Sequence, residues 1–228
     1  MSILRSLVYY PVFYGWSAML VIASVIALFL GQDQLRSVVR SWAVWHRWCL
    51  ENIIGITVRV EGELSDQPAL YAIKHESFFE AIDMPVLLDC PSVFAKRELF
   101  MIPGWGRSAV VYGLIPVARN EGARTLRQMI VKAKEKLAEG RPLVLFPEGT
   151  RVKHGKQPEL QSGFAGLYKL LGLQVIPIAV NSGPLYHRIW KRAGTITYKV
   201  GEPIPAGLPR AEAEARVHAA INALNEEI

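Results

Sequence analysis

Ala69-Leu70-Tyr71-Ala72-Ile73-Lys74-His75-Glu76-Ser77-Phe78-Phe79-Glu80 is an apolar run that breaks into polar residues and then restarts with the signature of a helix. Ala69 to Ile73, preceded by the turn signal Asp66-Gln67-Pro68, has the length and bounds of a buried strand. Ser77 with Glu80 three positions on has capping-box spacing, which predicts a helix running to Leu88, where Cys90-Pro91 stops it. A strand, a short turn and a helix are the first half of an α/β unit. Polar residues just past the carboxyl end of such a strand stand where open α/β sheets hold their ligands. His75 and Glu80 are therefore candidate site residues.

A second stretch repeats the pattern. Leu143 to Phe146 reads as a strand, and Phe146-Pro147-Glu148-Gly149-Thr150-Arg151 brings a carboxylate, a glycine and a guanidinium to its end. Around these two stretches lie further elements. Ile56, Val58 and Val60 alternate with polar residues as an edge strand does. Val93 to Leu99 reads as a strand carrying Lys96 and Arg97, and Val110 to Val117 is another apolar run, ending at Arg119. Leu126, Ile130, Ala133 and Leu137 stripe a helix from Ala123 to Glu139 that Gly140 stops. Ser162 to Leu171 is a short helix, and Val175 to Val180 and Thr195 to Val200 are strands. Pro177 suggests that the first of these two strands is an edge or carries a bulge. An Ala-rich helix closes the chain. Alternating strands and helices predict an α/β domain over residues 55–228, a mixed, mostly parallel sheet flanked by helices.

Residues 1–54 differ in character. Leu7 to Leu30 carries no charge, and a bilayer core needs roughly 20 apolar residues. Pro11 and Gly15 interrupt its start, so the cleaner helix is Tyr14 to Leu30, about 26 Å long. A cleaved signal peptide competes with a retained anchor for this segment. A second helix, Gln34 to Ile53, places Arg36, Arg40 and Arg47 within about 40° of one another, opposite Val38, Trp42, Trp45 and Cys49. Two readings stand: a helix lying in a membrane interface, which the tryptophans favour, or a core-facing amphipathic helix. Together the segments read as an N-terminal helical-hairpin membrane anchor, spanning or dipping into one leaflet. The basic residues after the first helix place the rest of the chain on the cytoplasmic face of the plasma membrane.

Composition narrows the function classes. Of 228 residues, 51% are apolar and 20% charged, a balance that excludes an extended disordered chain. The net charge of +6 suits an anionic membrane surface, an acidic carrier protein or nucleic acid. Lys and Arg are spread over helix surfaces and the hairpin, however, so nucleic acid has no focused footprint. Cys49 and Cys90 make neither a disulfide framework nor a Cys-rich zinc site and fit a reducing compartment. Five residues separate Gly149 from Gly155-Lys156, where a P-loop has four, and Gln157 stands in place of Ser or Thr. Phe79 stands where a zinc protease would have its second His, and no Gly-x-Ser-x-Gly elbow occurs.

The chemistry that remains is proton transfer beside an anion site. A neutral imidazole can accept a proton from a hydroxyl while a carboxylate on its other nitrogen fixes the tautomer. His75 and Glu80 could do this; equally, Glu80 could only complete the cap and His75 be a loop histidine. Arg119 and Arg151 each follow an apolar strand, and guanidinium groups bind phosphate through paired hydrogen bonds. Glu148 could hold Arg151 or accept a substrate hydroxyl.

Four blocks in order, His75-x4-Glu80, Gly113 through Arg119, Phe146 through Arg151, and Val175-Ile176-Pro177-Ile178, resemble those of the glycerolipid acyltransferase family, especially its bacterial 1-acylglycerol-3-phosphate acyltransferases. The resemblance covers residues 56 to 205. It implies His75 as general base on the sn-2 hydroxyl of a lysophosphatidic acid, with Glu80 orienting it. It implies acyl-CoA or acyl carrier protein as co-substrate, and neither a metal, another cofactor nor an acyl-enzyme. Arg119, Glu148, Gly149, Thr150 and Arg151 would hold the acceptor's phosphate and glycerol, with Lys96 near the phosphate. The pattern departs in three places: Glu80 stands where Asp is commoner, Val152 where Ser often follows Arg151, and the second block lacks its usual Phe. These departures leave open another lyso-lipid acceptor, such as a lyso-ornithine lipid or lysophosphatidylglycerol. A contrasting reading is a non-catalytic protein that binds anionic lipid.

Overall fold

The computed structural model describes residues 2–117 and 122–225. The chain opens with two long helices, α1 (Ser2–Leu30) and α2 (Gln32–Cys49), the second continuing as one π-turn over Leu50–Ile54. Strand β1 (Ile56–Glu61) leads to β2 (Leu70–Ile73), α3 (Phe78–Leu87), β3 (Ser92–Lys96), α4 (Trp105–Tyr112), β4 (Ile115–Val117), α5 (Gly122–Ala138) and β5 (Leu143–Leu145). After a long loop come α6 (Ser162–Leu171), β6 (Val175–Val180), the single turn α7 (Gly183–Tyr186), β7 (Gly194–Val200) and α8 (Arg210–Ile221).

The described residues form one seven-stranded sheet in the order β1-β7-β6-β2-β5-β3-β4. Every pairing is parallel except β6 with β7. The mixed, mostly parallel sheet expected from the alternation of elements is therefore what forms. All four residues of β2 are buried, as parallel strands covered on both faces must be. Tyr71 and Ile73 join a core on one face with Val93, Val144, Ile176 and Phe79 of α3. Leu70 and Ala72 join a core on the other face with Phe94, Met129 of α5, Phe164 and Leu167 of α6, and Val217 of α8. The first core also takes in Tyr9, Phe13, Cys49, Leu50 and Ile54, so the helical hairpin and the sheet bury their apolar residues together.

Several local expectations are corrected. α1 is one helix from Ser2, passing through Pro11, and at about 1.5 Å per residue it is about 43 Å long. The run Val110 to Val117 divides at Gly113 into the end of α4 and β4. Strand β3 stops at Lys96, and Arg97–Met101 is a 3₁₀ turn. Pro177 lies in a central strand. Its backbone faces the β7 side, where Gly201 N–H donates to its carbonyl at 2.8 Å. The β6–β7 ladder runs from Ile178 to Val180, and the chain pairs again only at Val175 with Ile204. Between those pairs two residues of β6, Ile176 and Pro177, oppose three of the partner segment, 201–203, so Pro177 lies at a bulge, the second of the two expectations for it.

The basic side of α2 meets protein at Arg47 and Arg40. Arg47 makes a bidentate ion pair with fully buried Asp83 of α3, at 2.6 and 2.8 Å. Arg40 donates to the carbonyl of Pro85. On the other side Trp42 stacks on Phe13 and donates to Ser17, and Trp45 packs against Trp16. Of the two readings of this helix, the contacts favour the core-facing one.

Candidate active site

Strand order decides which loop residues meet. β5 lies between β2 and β3, so the segments leaving their carboxyl ends, 74–80, 146–151 and the end of β3 at Lys96, are neighbours. A cavity of about 720 Å³ opens there, lined by His75, Phe78, Lys96, Gly149, Thr150 and Arg151 among many apolar side chains. The two stretches singled out in the sequence thus share one pocket, at the carboxyl ends of the strands where α/β folds hold ligands.

His75 is built into its place by α3. Ser77 is the N-cap, and Glu80 completes the capping box by accepting the Ser77 backbone N–H at 2.9 Å. The same oxygen, Oε2, lies 3.0 Å from His75 Nδ1. Capping and orientation coexist in one carboxylate. The methylene by which Glu80 exceeds an aspartate carries the carboxylate beyond the cap to the imidazole. With Nδ1–H donated to Glu80, the lone pair of the neutral ring is on Nε2. The ring stacks on Phe146, centroids 4.2 Å apart, so its plane is fixed too. Glu80 Oε1 accepts from Ser182, whose hydroxyl also lies 2.7 Å from that of Ser77. Glu80, Ser77 and Ser182 are wholly buried.

Arg151 reaches the cavity with its guanidinium 3.9 Å over the ring of Phe78, a cation–π contact that orients it. Lys96 is exposed at the end of β3 and lines the same cavity. Arg119 lies outside the described residues.

The sequence leaves Glu148 to hold Arg151 or to accept a substrate hydroxyl; in the structure it is buried, with Oε1 2.6 Å from Lys74 Nζ and Oε2 accepting the His75 backbone N–H at 3.0 Å. Both oxygens are occupied inside the protein. Lys74 spends its other donors on the carbonyl of Lys156 and on Asn222 of the turn after α8. Val152 N–H donates to the carbonyl of His75 at 2.7 Å, a second tie between the two segments. Beside them Glu76 accepts from Gly183 N–H at 2.7 Å and faces His154 Nδ1 at 2.8 Å. Burial pushes the Glu76 carboxyl up to about 8 and lowers the His154 imidazole.

These contacts place an imidazole–carboxylate pair beside a cationic, partly apolar pocket. Residues 55–181 match the Acyltransferase family. The chain is 30% identical over 193 residues to the 1-acyl-sn-glycerol-3-phosphate acyltransferase of Pseudomonas aeruginosa, covering 84% of this chain and 73% of that one. The chain belongs to the acyltransferase family. A Helicobacter pylori protein of the same name is 31% identical over 110 residues, 48% of this acyltransferase and 46% of its own length. The fold matches the crystal structure of the 1-acyl-sn-glycerophosphate acyltransferase PlsC from Thermotoga maritima. The TM-score is 0.78 at 21% identity, over 100% of this chain and 97% of that one, hairpin included.

Sequence reading missed two groups in this acyltransferase. Ser182 follows β6, the other neighbour of β2, and the rule that pointed to His75 would have found it: a polar residue just past a buried strand. Lys74 gave no signal, because a lysine beside a turn reads as surface until its three partners are seen.

Proposed function

We propose that this acyltransferase moves a fatty acyl chain from a thioester donor, acyl-CoA or acyl carrier protein, to the sn-2 hydroxyl of 1-acylglycerol-3-phosphate, giving phosphatidic acid. The observation that carries the reading is the His75–Glu80 pair lining one cavity with Lys96 and Arg151. In this reading the two cations hold the acceptor's phosphate, with charge-assisted hydrogen bonds from the guanidinium. Arg119 joins them, and Gly149 and Thr150 shape the pocket around the glycerol.

Nε2 of His75 takes the hydroxyl proton as the oxygen attacks the thioester carbonyl. Glu80 holds the ring and stabilises the imidazolium that forms. The tetrahedral adduct collapses by breaking the carbon–sulfur bond, and the imidazolium returns its proton to the departing thiolate. The products are an ester and a free thiol.

The cavity is also walled by Leu20, Val21 and Ser24 of α1 and by Val38, Val39 and Trp42 of α2. A lipid chain leaving a bilayer would meet these walls first. α1 is long and apolar enough to cross a membrane, with mean hydropathy 2.1 over its best window. Both ends of it nevertheless touch the α/β domain: Lys191 N–H donates to Ser6 Oγ, and Ser24 meets Ser108 of α4. A row of exposed side chains, Leu4, Leu7, Tyr14, Met19, Ile22, Ile26 and Phe29, runs along its outer side. These features support a helix lying along one leaflet, with the domain on the cytoplasmic face.

Purified protein given each thioester with lysophosphatidic acid, lysophosphatidylglycerol and a lyso-ornithine lipid tests the reading. Acylation of lysophosphatidic acid above the others is expected, lost with His75→Ala. Turnover that survives that substitution unchanged, or an acceptor without a phosphate used best, overturns it.

A further inference from the structure

The loop from β6 to β7 carries His187-Arg188-Ile189-Trp190-Lys191-Arg192, and nothing in the acyl-transfer chemistry uses it. Ile189 is 71% exposed and Trp190 41%. Two large apolar side chains at a loop tip cost solvation unless something covers them. Arg188 and Arg192, both exposed, flank them.

The loop is not free to move. Its backbone is fastened to the first turns of α1, where Tyr10 donates its hydroxyl to the carbonyl of Ile189 and Lys191 N–H donates to Ser6 Oγ at 2.9 Å. Lys191 itself is buried, its ammonium 3.7 Å from the Tyr186 ring centroid and within 5.6 Å of those of Tyr9 and Tyr10. That packing turns Lys191 inward and leaves Ile189 and Trp190 outward.

The fastening point fixes which side of the molecule the tip faces. Ile3, Leu7, Tyr10 and Tyr14 follow one another at helical spacing along α1. Ile3, Leu7 and Tyr14 are exposed by 52%, 53% and 61%. Tyr10 belongs to this row and holds the loop, so the Ile189–Trp190 tip extends the apolar strip of α1 sideways. The charge is of one sign. No Asp or Glu occurs before Asp33 or between Glu159 and Glu202.

We propose that this loop is a second membrane contact, with Ile189 and Trp190 entering the interface of an anionic bilayer beside α1 while Arg188 and Arg192 meet its headgroups. The inference rests on the membrane reading above and deepens it. An indole and an aliphatic side chain between arginines suit the boundary between headgroups and acyl chains, and each basic residue there adds attraction to an anionic surface. A second contact beside α1 defines a plane, whereas a single helix leaves the domain free to roll about its axis. The loop thereby holds the mouth of the cavity toward the lipid.

The test places an environment-sensitive thiol label on the full chain in a Cys90→Ser background, at Ile189→Cys, at Met19→Cys on α1, and at Gln174→Cys before β6. Vesicles contain equal parts phosphatidylcholine and phosphatidylglycerol. The label at 189 is expected to shift to the blue and to be quenched by spin-labelled lipid, as at 19, while the label at 174 stays water-like. The double change Ile189→Ser, Trp190→Ser is expected to lower turnover of vesicle-borne acceptor about tenfold, with turnover in detergent micelles unchanged. A label at 189 that stays water-like while that at 19 is buried overturns the second contact and spares the anchor. If both stay water-like, the membrane reading falls with it. A label at 189 that answers to an acidic acyl carrier protein without vesicles makes the loop a carrier dock and also overturns the proposal.

Discussion

Lys74 and Glu148 meet through a 2.6 Å ion pair with both side chains wholly inaccessible, and the pair joins the two segments that build the active site. Removing one partner leaves a buried charge without its counter-ion, which costs about 3–5 kcal/mol, whereas replacing both with apolar groups is often neutral. Lys74→Met is therefore expected to lower the denaturant midpoint sharply. Lys74→Met, Glu148→Leu is expected to recover most of that stability. The double variant still lacks the Glu148 hydrogen bond to His75 N–H and the ties to Lys156 and Asn222. Its kcat/KM should stay depressed after stability returns. Urea unfolding and steady-state kinetics on the three proteins measure the separation, and a double variant with full activity would make the pair structural only.

The length of Glu80 is a second testable point. One oxygen serves both the Ser77 backbone and His75 Nδ1 because the side chain reaches past its own cap. Asp at this position keeps the charge and shortens the reach. Glu80→Asp should preserve the fold and lose about 10- to 100-fold in kcat. His75→Ala should lose about 10²–10⁴-fold. Ser182→Ala removes one of several donors to Glu80, a loss of about 1 kcal/mol, so its kcat should fall by less than tenfold. That ranking, read from kcat at saturating substrates, would fail if Ser182→Ala matched His75→Ala.

Much of this site was legible because local chemistry wrote it. The capping box, the strand before His75 and the guanidinium after Gly149 are each encoded within a few residues. What the sequence withheld was adjacency. No spacing says that β5 inserts between β2 and β3, which is what brings Lys96 and Arg151 to one cavity. Glu148 stayed open between Arg151 and a substrate hydroxyl because Lys74, which it meets, is 74 positions away. The arginines of α2 fitted an interfacial helix as well as a core-facing one because Asp83, the partner of Arg47, belongs to another helix. Pro177 left an edge and a bulge open because the choice is set by how the segment after β7 pairs with β6.

Stability should depend on pH through Glu76. Its carboxyl is raised by burial to about 8 from its ordinary 4.5, among Lys74, Glu80, Glu148 and His154. Between these two pH values the folded chain holds a proton that the unfolded chain has released. The contribution is complete below about 4.5 and is lost as pH climbs toward 8, with a slope of at most about 1.4 kcal/mol per pH unit. Glu76→Gln keeps a carbonyl for Gly183 N–H and offers an N–H to His154, as the protonated acid does. The variant should match the parent near pH 5 and exceed it at pH 8. Urea midpoints at the two pH values check this, and parallel profiles would remove Glu76 from the account.

Gly113 offers the sharpest test of how α4 hands over to β4. Its φ is 106°, in the left-handed region that side chains other than hydrogen avoid. A Cβ there would stand 2.1 Å from the guanidinium of Arg141. Arg141 cannot swing aside, being 4% exposed and donating to the carbonyls of Cys90 and Pro91. Gly113→Ala thus combines backbone strain with a clash against a fixed cation, and a loss of about 2 kcal/mol or more is expected. Shortening the clashing group relieves only one of the two, so Arg141→Lys added to Gly113→Ala should restore part of the stability and never all of it. β4 pairs with β3 through Phe94 and Lys96, so a slipped β4 also displaces a cation of the pocket. The single variant should accordingly show a raised KM for the phosphate-bearing acceptor at temperatures where it remains folded, measured against unchanged KM for the thioester.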